Sequence, residues 1–243
     1  MTSLSVNVNK VALLRNTRTI GIPSVTRAAQ ICIDAGAYGI TVHPRPDERH
    51  IRPSDVDELI DVVAGVEFNI EGNPFEKGYL DICRKVKPDQ CTLVPDSPEA
   101  FTSDHGWDLA ADGDRLIPVI EELKGLGSRV SLFMDHDSDE IPRAAMVGAD
   151  RIEIYTEPYA DAHREDEDFE KVFEVFATAA RVAQEAGLGV NAGHDLNLEN
   201  LGKFCTISGI LEVSIGHALI GEALEMGLGN TVKAYLKILE ASA

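Results

Sequence analysis

Short, almost continuously apolar runs recur along the chain, and a stretch with apolar residues at helical spacing follows each one. The runs are rich in β-branched residues and end in polar residues or glycine. They lie at Leu4–Val8, Tyr38–His43, Glu67–Glu71, Gln90–Pro95, Arg129–Met134, Arg151–Thr156, Leu188–Gly193 and Leu211–Gly216. Parallel strands that are buried on both faces have this pattern. The chain therefore predicts a parallel sheet with one strand for each run.

Helices are predicted between these strands. Ser24 has the side chain of an N-cap, and Gly36 is suited to the end of the same helix. Pro53 favours the start of the next helix. The charged segment Tyr159–Asp168 is predicted to be a solvated loop. Apolar spacing predicts the other helices around Tyr79–Val86, Leu116–Leu123, Ile141–Val147, Phe169–Ala186, Asn197–Phe204 and Leu219–Ala243.

This repeated alternation favours a closed (β/α)8 TIM barrel over an open, doubly wound sheet. A Rossmann sheet would carry Gly-x-Gly-x-x-Gly after its first strand, and the sequence has no such turn there. No linker, low-complexity tract or shift in composition divides the chain. We therefore expect one α/β barrel domain that spans residues 1–243.

The charge of the chain limits its partners. There are 22 Lys and Arg residues against 41 Asp and Glu residues, which gives a net charge of −19. Such a surface repels nucleic acid and anionic lipid, so neither is an expected partner. A small phosphorylated substrate remains compatible with it, because local cations and backbone N–H groups can hold a phosphate.

The cellular location is predicted from the hydropathy of the chain and from its cysteines. No apolar run approaches the roughly 20 residues that span a bilayer, and the first residues do not have the pattern of a secretory signal. The cysteines are scattered, which argues against a zinc cluster or a disulfide framework. A cytoplasmic protein with buried, reduced thiols is expected, and the residues concerned are Cys32, Cys83, Cys91 and Cys205.

Polar residues at the strand ends are the candidate functional groups. The interior of such a barrel is expected to be filled by apolar side chains, and active sites lie where the strands end. His43, Glu71 and His194 close three different strands and suit general acid–base catalysis near neutral pH. Glu153 lies within a strand, where a carboxylate is costly unless it is paired, solvated or in use. Each residue taken alone is also compatible with a structural hydrogen bond.

Glycines at the ends of the last two strands indicate phosphate binding. Gly216 would let the backbone approach an oxyanion, and a helix follows it. Arg18, Arg45 and His50 could serve a second anion. Metal-free chemistry is favoured, because no motif fixes two metal ligands on one element. An aldolase would need a Schiff-base lysine, and only Lys10 lies suitably just beyond a strand.

At these residues the sequence resembles the pyridoxine 5′-phosphate synthase family of the deoxyxylulose-dependent vitamin B6 pathway. The resemblance runs through nearly the whole chain in order. It is carried by Val6–Asn9, Leu14–Arg18, Gly39–Arg45, Arg49–Ile51, Asn69–Glu71, Leu93–Pro95, Val130–Phe133, Ile152–Ile154, Tyr159–Ala162, Val190–His194 and Ile215–Gly221.

The resemblance implies a ring-closing transferase that needs no cofactor or metal. It would condense 3-amino-2-oxopropyl phosphate with 1-deoxy-D-xylulose 5-phosphate to pyridoxine 5′-phosphate, phosphate and water. The resemblance also implies a TIM barrel with a few extra helices, assembled as a homo-octamer. It assigns His43 and Glu71 as general bases and His194 as the general acid. Glu153 would stabilise cationic or transition-state character in the intermediates.

Substrate-binding residues are implied in the same way. Asn7, Arg18, Gly216 and His217 would hold the aminoketone phosphate, while Arg45, His50 and Thr102 would hold the sugar phosphate. The chain departs from the family pattern at Asn9-Lys10, where the family has Asp-His, and at Asp195, where it has Gly. All three are retained as candidate substrate-binding residues. The alternatives are a related barrel with another phosphorylated substrate, or a barrel that binds such a metabolite without turnover.

Overall fold

The computed structural model describes residues 1–97, 100, 102–165 and 168–242. Its strands form one closed parallel barrel in chain order, and the last strand pairs with the first. The prediction of a (β/α)8 barrel is confirmed. The strands are β1 (Ser3–Asn7), β2 (Gly39–Val42), β3 (Glu67–Gly72), β4 (Gln90–Leu93), β5 (Arg129–Met134), β6 (Arg151–Tyr155), β7 (Gly189–Gly193) and β8 (Ile210–Ile215).

Helices surround the barrel, and most of them lie where apolar spacing predicts them. Ser24 caps its helix, since its Oγ accepts a hydrogen bond from the backbone N–H of Arg27 at 3.2 Å. The helices are α1 (Asn9–Asn16), α2 (Val25–Asp34), α3 (Pro53–Leu59), α4 (Tyr79–Val86), α5 (Leu109–Gly125), α6 (Ile141–Met146), α7 (Glu157–Glu165), α8 (Phe169–Glu185), α9 (Leu201–Phe204), α10 (His217–Met226) and α11 (Leu228–Ala241).

Three parts of the helix prediction are wrong. The sequence analysis places no helix directly after β1, where α1 lies. The charged segment Tyr159–Asp168 is largely helix α7, because Tyr159 gives it a buried face and its hydroxyl donates to the Asn200 carbonyl at 2.8 Å. Asp166 and Glu167 lie outside the described residues. The last predicted helix is two helices, since Gly227 separates α10 from α11 with a φ of +80°.

The apolar core lies between the barrel and the helices. Alternate strand residues such as Leu4, Ile40 and Ile70 face outward and are completely buried there. All four cysteines are buried free thiols, as predicted. Contacts between these small and branched side chains thus hold the helices against the outside of the barrel.

The inside of the barrel is polar, so the expectation of an apolar interior is wrong. The residues that alternate with the outward-facing ones pair across the strands, as Ser5 with Ser214 and Thr41 with Asn69. The Ser5 and Thr41 hydroxyls lie 2.7 Å apart, and the Thr92 hydroxyl donates to Asn69 Oδ1 at 3.1 Å. The apolar runs that predict the strands contain these polar residues at every second position. Most of these buried polar groups are satisfied by hydrogen bonds to one another, whereas Ser131 Oγ and Glu153 Oε2 have no partner among the described residues.

A network of ion pairs fills the N-terminal half of this interior. Arg129 Nη2 lies 2.5 Å from Glu67 Oε2, and Arg151 Nη1 lies 3.1 Å from Glu212 Oε2. Glu212 is only 1% exposed. Burial and the neighbouring Glu67 raise the pKa of Glu212 to about 8, although the two arginines oppose that shift. The barrel therefore depends on compensated charge as well as on its apolar outer layer.

Replacing Arg151 with Met should destabilise the barrel strongly. The substitution removes the hydrogen bonds of Arg151 to Glu212 and Asn191 inside the barrel, and leaving buried polar groups without a partner typically costs about 1–3 kcal/mol each. Arg143→Met is the matched control, because Arg143 is exposed, pairs with Glu140 just before α6 and should change stability by under about 1 kcal/mol. Urea unfolding at pH 7 measures both. Equal effects of the two substitutions would contradict a structural role for the internal network.

Candidate active site

Polar side chains from several strands meet at the mouth where the strands end. Glu71 comes from β3, and its Oε2 accepts a hydrogen bond from Asn7 Nδ2 of β1 at 3.2 Å. His43 follows β2, and its Nδ1 lies 3.9 Å from the same Glu71 oxygen. The register of the barrel thus brings Asn7, His43 and Glu71 together, although they are far apart in the sequence. The imidazole of His43 and the carboxyl of Glu71 can both exchange protons, and both lie at the mouth of the barrel.

Glu71 has an environment suited to proton transfer near neutral pH. Burial of the carboxyl is the largest effect on its pKa, and the negative charge of Asp96 acts in the same direction. Arg45 and the hydrogen bond from Asn7 oppose them, and the resulting pKa is about 7. A carboxyl with this pKa exists in both protonation states at physiological pH. Glu71 can therefore accept a proton from a substrate and release it again.

His43 is held as a neutral imidazole. Burial lowers its pKa well below the usual range, and the charges of Arg45, His50 and His194 lower it further. Its position is fixed through Asn9, whose side-chain oxygen accepts the backbone N–H of His43 at 2.9 Å. A neutral imidazole offers one nitrogen as a base. Asn9 thus connects α1 to the end of β2 through this hydrogen bond.

His194 stands at the opposite side of the mouth in an unusual backbone conformation. Its φ is +87°, and that of Asp195 is +56°, a region that few non-glycine residues adopt. The Thr156 hydroxyl donates to the carbonyl oxygen of His194. The imidazole ring packs against Phe133 and Tyr155, with centroids 5.2 and 5.3 Å away. These contacts fix where the imidazole points.

The charge of His194 is set by competing neighbours. Burial lowers its pKa, and Lys10 acts in the same direction, whereas Asp195 and Asp96 raise it. A protonated His194 is consequently a stronger acid than an exposed histidine. The opposing effects also place Lys10, Asp195 and Asp96 around this ring, because charges act strongly only over short distances.

Glu153 lies deeper in the barrel, below the mouth. The residue is 2% exposed, and within the described part of the chain its Oε2 has no hydrogen-bond partner. Burial raises its pKa well above the usual range, and the carboxyls of Glu71 and Glu212 raise it further. A Cβ at position 193 would overlap the Glu153 carboxyl, so Gly193 makes room for it. Glu153 is accordingly a neutral acid that can donate a hydrogen bond into the mouth.

Arg45 and His50 lie on one side of the mouth, and Arg45 supplies the positive charge there. The buried Arg45 guanidinium pairs with Asp96 and donates to the Ala100 carbonyl at 3.0 Å. The His50 ring lies 6.0 Å from that of His43. Burial and the charges of Arg45 and Arg49 lower the pKa of His50 to about 4, so it is neutral.

Asp96 and Ser103 belong to this site, and the sequence analysis does not identify them. Ser103 Oγ donates to Asp96 Oδ2 at 2.6 Å, and both residues are buried. Asp96 lies three residues after the end of β4 at Leu93 and directly after the predicted strand run, which ends at Pro95. The rule that polar residues after strands are candidates therefore applied to it, and extending each run by one residue would have found it.

The remaining candidates lie at the edge of the mouth or outside it. Lys10 is half-buried and close enough to lower the pKa of both His50 and His194. Gly216 stands against Asn7, and a Cβ there would lie 3.1 Å from Asn7 Cβ. The side chains of Arg18, Thr102, Asp195 and His217 are exposed. The structure therefore brings the predicted acid–base residues together and leaves these four at the surface.

A small cavity adjoins the acid–base residues. It has a volume of about 20 Å³, which is room for about one water molecule, and is lined by His43, Arg45, Lys77 and Asp96 among others. Among the described residues, no group of His, Cys, Asp and Glu side chains is arranged to hold a metal ion. No helix in that part of the chain is long and apolar enough to cross a membrane.

Comparison with known sequences gives a full-length match. The family model described as pyridoxal phosphate biosynthesis protein PdxJ matches residues 4–241. A protein of Xanthomonas campestris pv. campestris strain B100, named pyridoxine 5′-phosphate synthase, is 56% identical over 100% of this chain and 98% of its own length. A protein of Xylella fastidiosa strain M23 with the same name is 56% identical over 99% of this chain and 95% of its own length.

Comparison with solved structures finds other barrels. The 3-hexulose-6-phosphate synthase of Salmonella typhimurium has a TM-score of 0.68 at 12% identity and covers 100% of both chains. The phosphoribosyl anthranilate isomerase of Thermotoga maritima has a TM-score of 0.64 at 13% identity, over 99% of this chain and 100% of its own. At this level of identity the likeness shows the barrel fold alone.

Replacing Gly193 with Ala tests the space that the Glu153 carboxyl requires. The added methyl would overlap that carboxyl, so we expect the free energy of unfolding to fall by about 1–3 kcal/mol. Gly125→Ala, at the open end of α5, should leave stability unchanged or raise it by up to about 1 kcal/mol. Chemical denaturation compares the two. A Gly193→Ala protein as stable as the Gly125→Ala protein would show that the carboxyl is not confined there.

Proposed function

The chain belongs to the pyridoxal phosphate biosynthesis protein PdxJ family, an enzyme family of pyridoxine 5′-phosphate synthesis, and we propose that the mouth of its barrel carries out that reaction by acid–base catalysis. The single observation that carries the proposal is the approach of His43 to Glu71, at 3.9 Å, beside a cavity lined by Arg45. A base, a carboxyl with a pKa of about 7 and a buried cation share one opening.

The substrates proposed are 3-amino-2-oxopropyl phosphate and 1-deoxy-D-xylulose 5-phosphate. The family resemblance supplies their identity, and the charge of the mouth supports it. Arg45 and Lys10 lie there although the chain as a whole carries a charge of −19. Cations gathered at one point of an acidic surface attract small phosphates. The alternatives of another phosphorylated substrate, or of binding without turnover, are outcomes of the assay described below.

Proton removal is assigned to His43 and Glu71. Imine formation, enolisation and ring closure each require that a proton leave a carbon, nitrogen or oxygen atom of the substrates. His43 is neutral and accepts a proton at a ring nitrogen, while Glu71 accepts one at its carboxylate oxygens. The Asn7 hydrogen bond holds the Glu71 carboxyl in place and favours its charged form.

Proton donation is assigned to His194 and a hydrogen-bonding role to Glu153. The lowered pKa of His194 makes its imidazolium ready to release a proton to a leaving hydroxyl or phosphate. Glu153 is protonated below the mouth, so its O–H can stabilise negative charge that develops on a substrate oxygen. Arg45 and His50 are proposed to face the sugar phosphate, and Gly216 and Asn7 the aminoketone phosphate.

We also infer that copies of this chain associate. Helix α1 packs against α2 and α10, and it leaves Leu13 and Leu14 exposed. Ile20 and Ile22 follow on the next segment and are 62% and 67% exposed. Apolar side chains gathered in this way are typical of contact surfaces. The octamer implied by the resemblance is the expected assembly, and the free thiols support a cytoplasmic location.

Turnover with both proposed substrates tests the function directly. We expect pyridoxine 5′-phosphate and phosphate to appear together without added metal or nucleotide. Glu71→Gln should lower kcat by about 100- to 10,000-fold, because general base catalysis contributes that much. Glu122→Gln, on the exposed face of α5, is the control and should keep the rate. No turnover from a folded protein that still binds either phosphate would contradict the assignment.

Leu14→Asp should dissociate the assembly, since it places a charge in the apolar surface of α1. Met146→Asp on α6, where Met146 is 80% exposed, is the control and should leave the assembly intact. Light scattering after gel filtration measures the mass of each protein. A monomeric wild-type protein, or an unchanged mass for Leu14→Asp, would overturn this contact surface.

A further inference from the structure

Asp96 is a buried carboxylate that the proposed chemistry does not use. It is 4% exposed and lies beyond β4, beside the segment that contains Ser103. Its Oδ2 accepts hydrogen bonds from the Arg45 guanidinium and, at 2.6 Å, from the Ser103 hydroxyl. Its Oδ1 is buried and has no hydrogen-bond partner among the described residues. A buried charge is costly, so its presence beside the mouth calls for a specific role.

We propose that Asp96 is a positioning residue of this active site, which holds the Arg45 guanidinium beside the cavity and adds the charge of its carboxylate to the surroundings of Glu71 and His194. The proposal rests on the proposed function, and it concerns how that site is set up rather than which reaction it performs. Asp96 reaches the substrates through Arg45, Glu71 and His194 and does not itself exchange protons with them.

The first part of the proposal concerns the direction of the guanidinium. Arg45 gives one terminal nitrogen to Asp96 and the other to the Ala100 carbonyl, at 3.0 Å. Both ends of the planar fork are therefore fixed by the protein. Among the described residues, none accepts a hydrogen bond from the other N–H groups of Arg45, so these can bind a phosphate at the mouth, where Arg45 and Asp96 line the same cavity. A guanidinium held in this way loses little freedom when the phosphate binds.

The second part concerns charge. The carboxylate of Asp96 raises the pKa of Glu71 and also that of His194, so both groups hold their protons to a higher pH. The other groups that face Glu71 are Asn7 of β1, His43 and Arg45 beyond β2 and Glu153 of β6. Those that face His194 are Lys10, Asp195, Phe133 and Tyr155. Asp96 thus acts on the pKa of both catalytic groups and also pairs with Arg45.

Asp96→Asn removes the charge and keeps the size of the side chain. The pKa values of Glu71 and His194 should both fall, because the charge of Asp96 raises each of them. Both limbs of the dependence of kcat/KM on pH should therefore move to lower pH. We also expect KM for 1-deoxy-D-xylulose 5-phosphate to rise about tenfold or more, because a charged hydrogen bond to Arg45 is lost.

Two controls separate these effects from a general disturbance. Ser103→Ala removes the other hydrogen bond to Asp96 but keeps its charge, so both limbs should stay in place. Asp137→Asn removes an exposed carboxylate beyond β5 and should change neither the limbs nor KM. An unchanged pH profile and KM in Asp96→Asn would overturn the proposal, and so would a Ser103→Ala protein that reproduces both changes.

A readout without substrate keeps this test separate from the test of the function. The titration of the Glu71 carboxyl, followed by ¹³C NMR, should move to lower pH in Asp96→Asn even if the proposed substrates are wrong. If the variant does not fold, the wild-type protein still gives an answer. The side-chain N–H hydrogens of its Arg45 should exchange slowly with water in NMR spectra. Rapid exchange would overturn the claim that Asp96 holds the Arg45 guanidinium.

Discussion

Polar and charged side chains that are buried inside the barrel need hydrogen-bond or ion-pair partners, or a change in their protonation state. Most features of this structure follow from this requirement. The outward-facing strand residues form an ordinary apolar layer with the helices, whereas the inward-facing ones are hydroxyls, amides, carboxyls and guanidiniums. Arg129 and Arg151 pair with Glu67 and Glu212 in the lower half. In the upper half, no cation among the described residues lowers the pKa of Glu153, and burial raises it well above the usual range.

The same constraint produces the chemistry at the mouth. A carboxyl that enters this interior is desolvated, so its pKa rises towards neutrality, and a histidine there loses its charge. Glu71 and His43 show these two effects side by side. The raised pKa of Glu71 and the lowered pKa of His43 together give the site a proton donor and a proton acceptor near pH 7. Arg45 and the hydrogen bond from Asn7 lower the pKa of Glu71, and the charge of Asp96 raises it.

The sequence predicts the strands well because their outer residues are apolar, and it predicts the acid–base residues because they follow directly after strands. Ser5, Thr41 and Asn69 stand at alternate strand positions, which is the pattern of a polar barrel interior. The runs around them are apolar enough to indicate strands that are buried on both faces, so this alternation does not stand out in the sequence. Helix α7 has few apolar residues, so its buried Tyr159 was the one local signal. The pairing of Arg45 with Asp96 joins segments far apart in the chain and could not be predicted from local patterns.

The central claim is that burial in a polar barrel places the pKa of Glu71 near neutrality for proton transfer. The titration of the Glu71 carboxyl in the free wild-type protein, followed by ¹³C NMR, tests it most directly, because it reports this ionisation separately from that of His194. We predict a midpoint near pH 7. A midpoint near pH 4.5, the ordinary value for glutamate, would contradict the account.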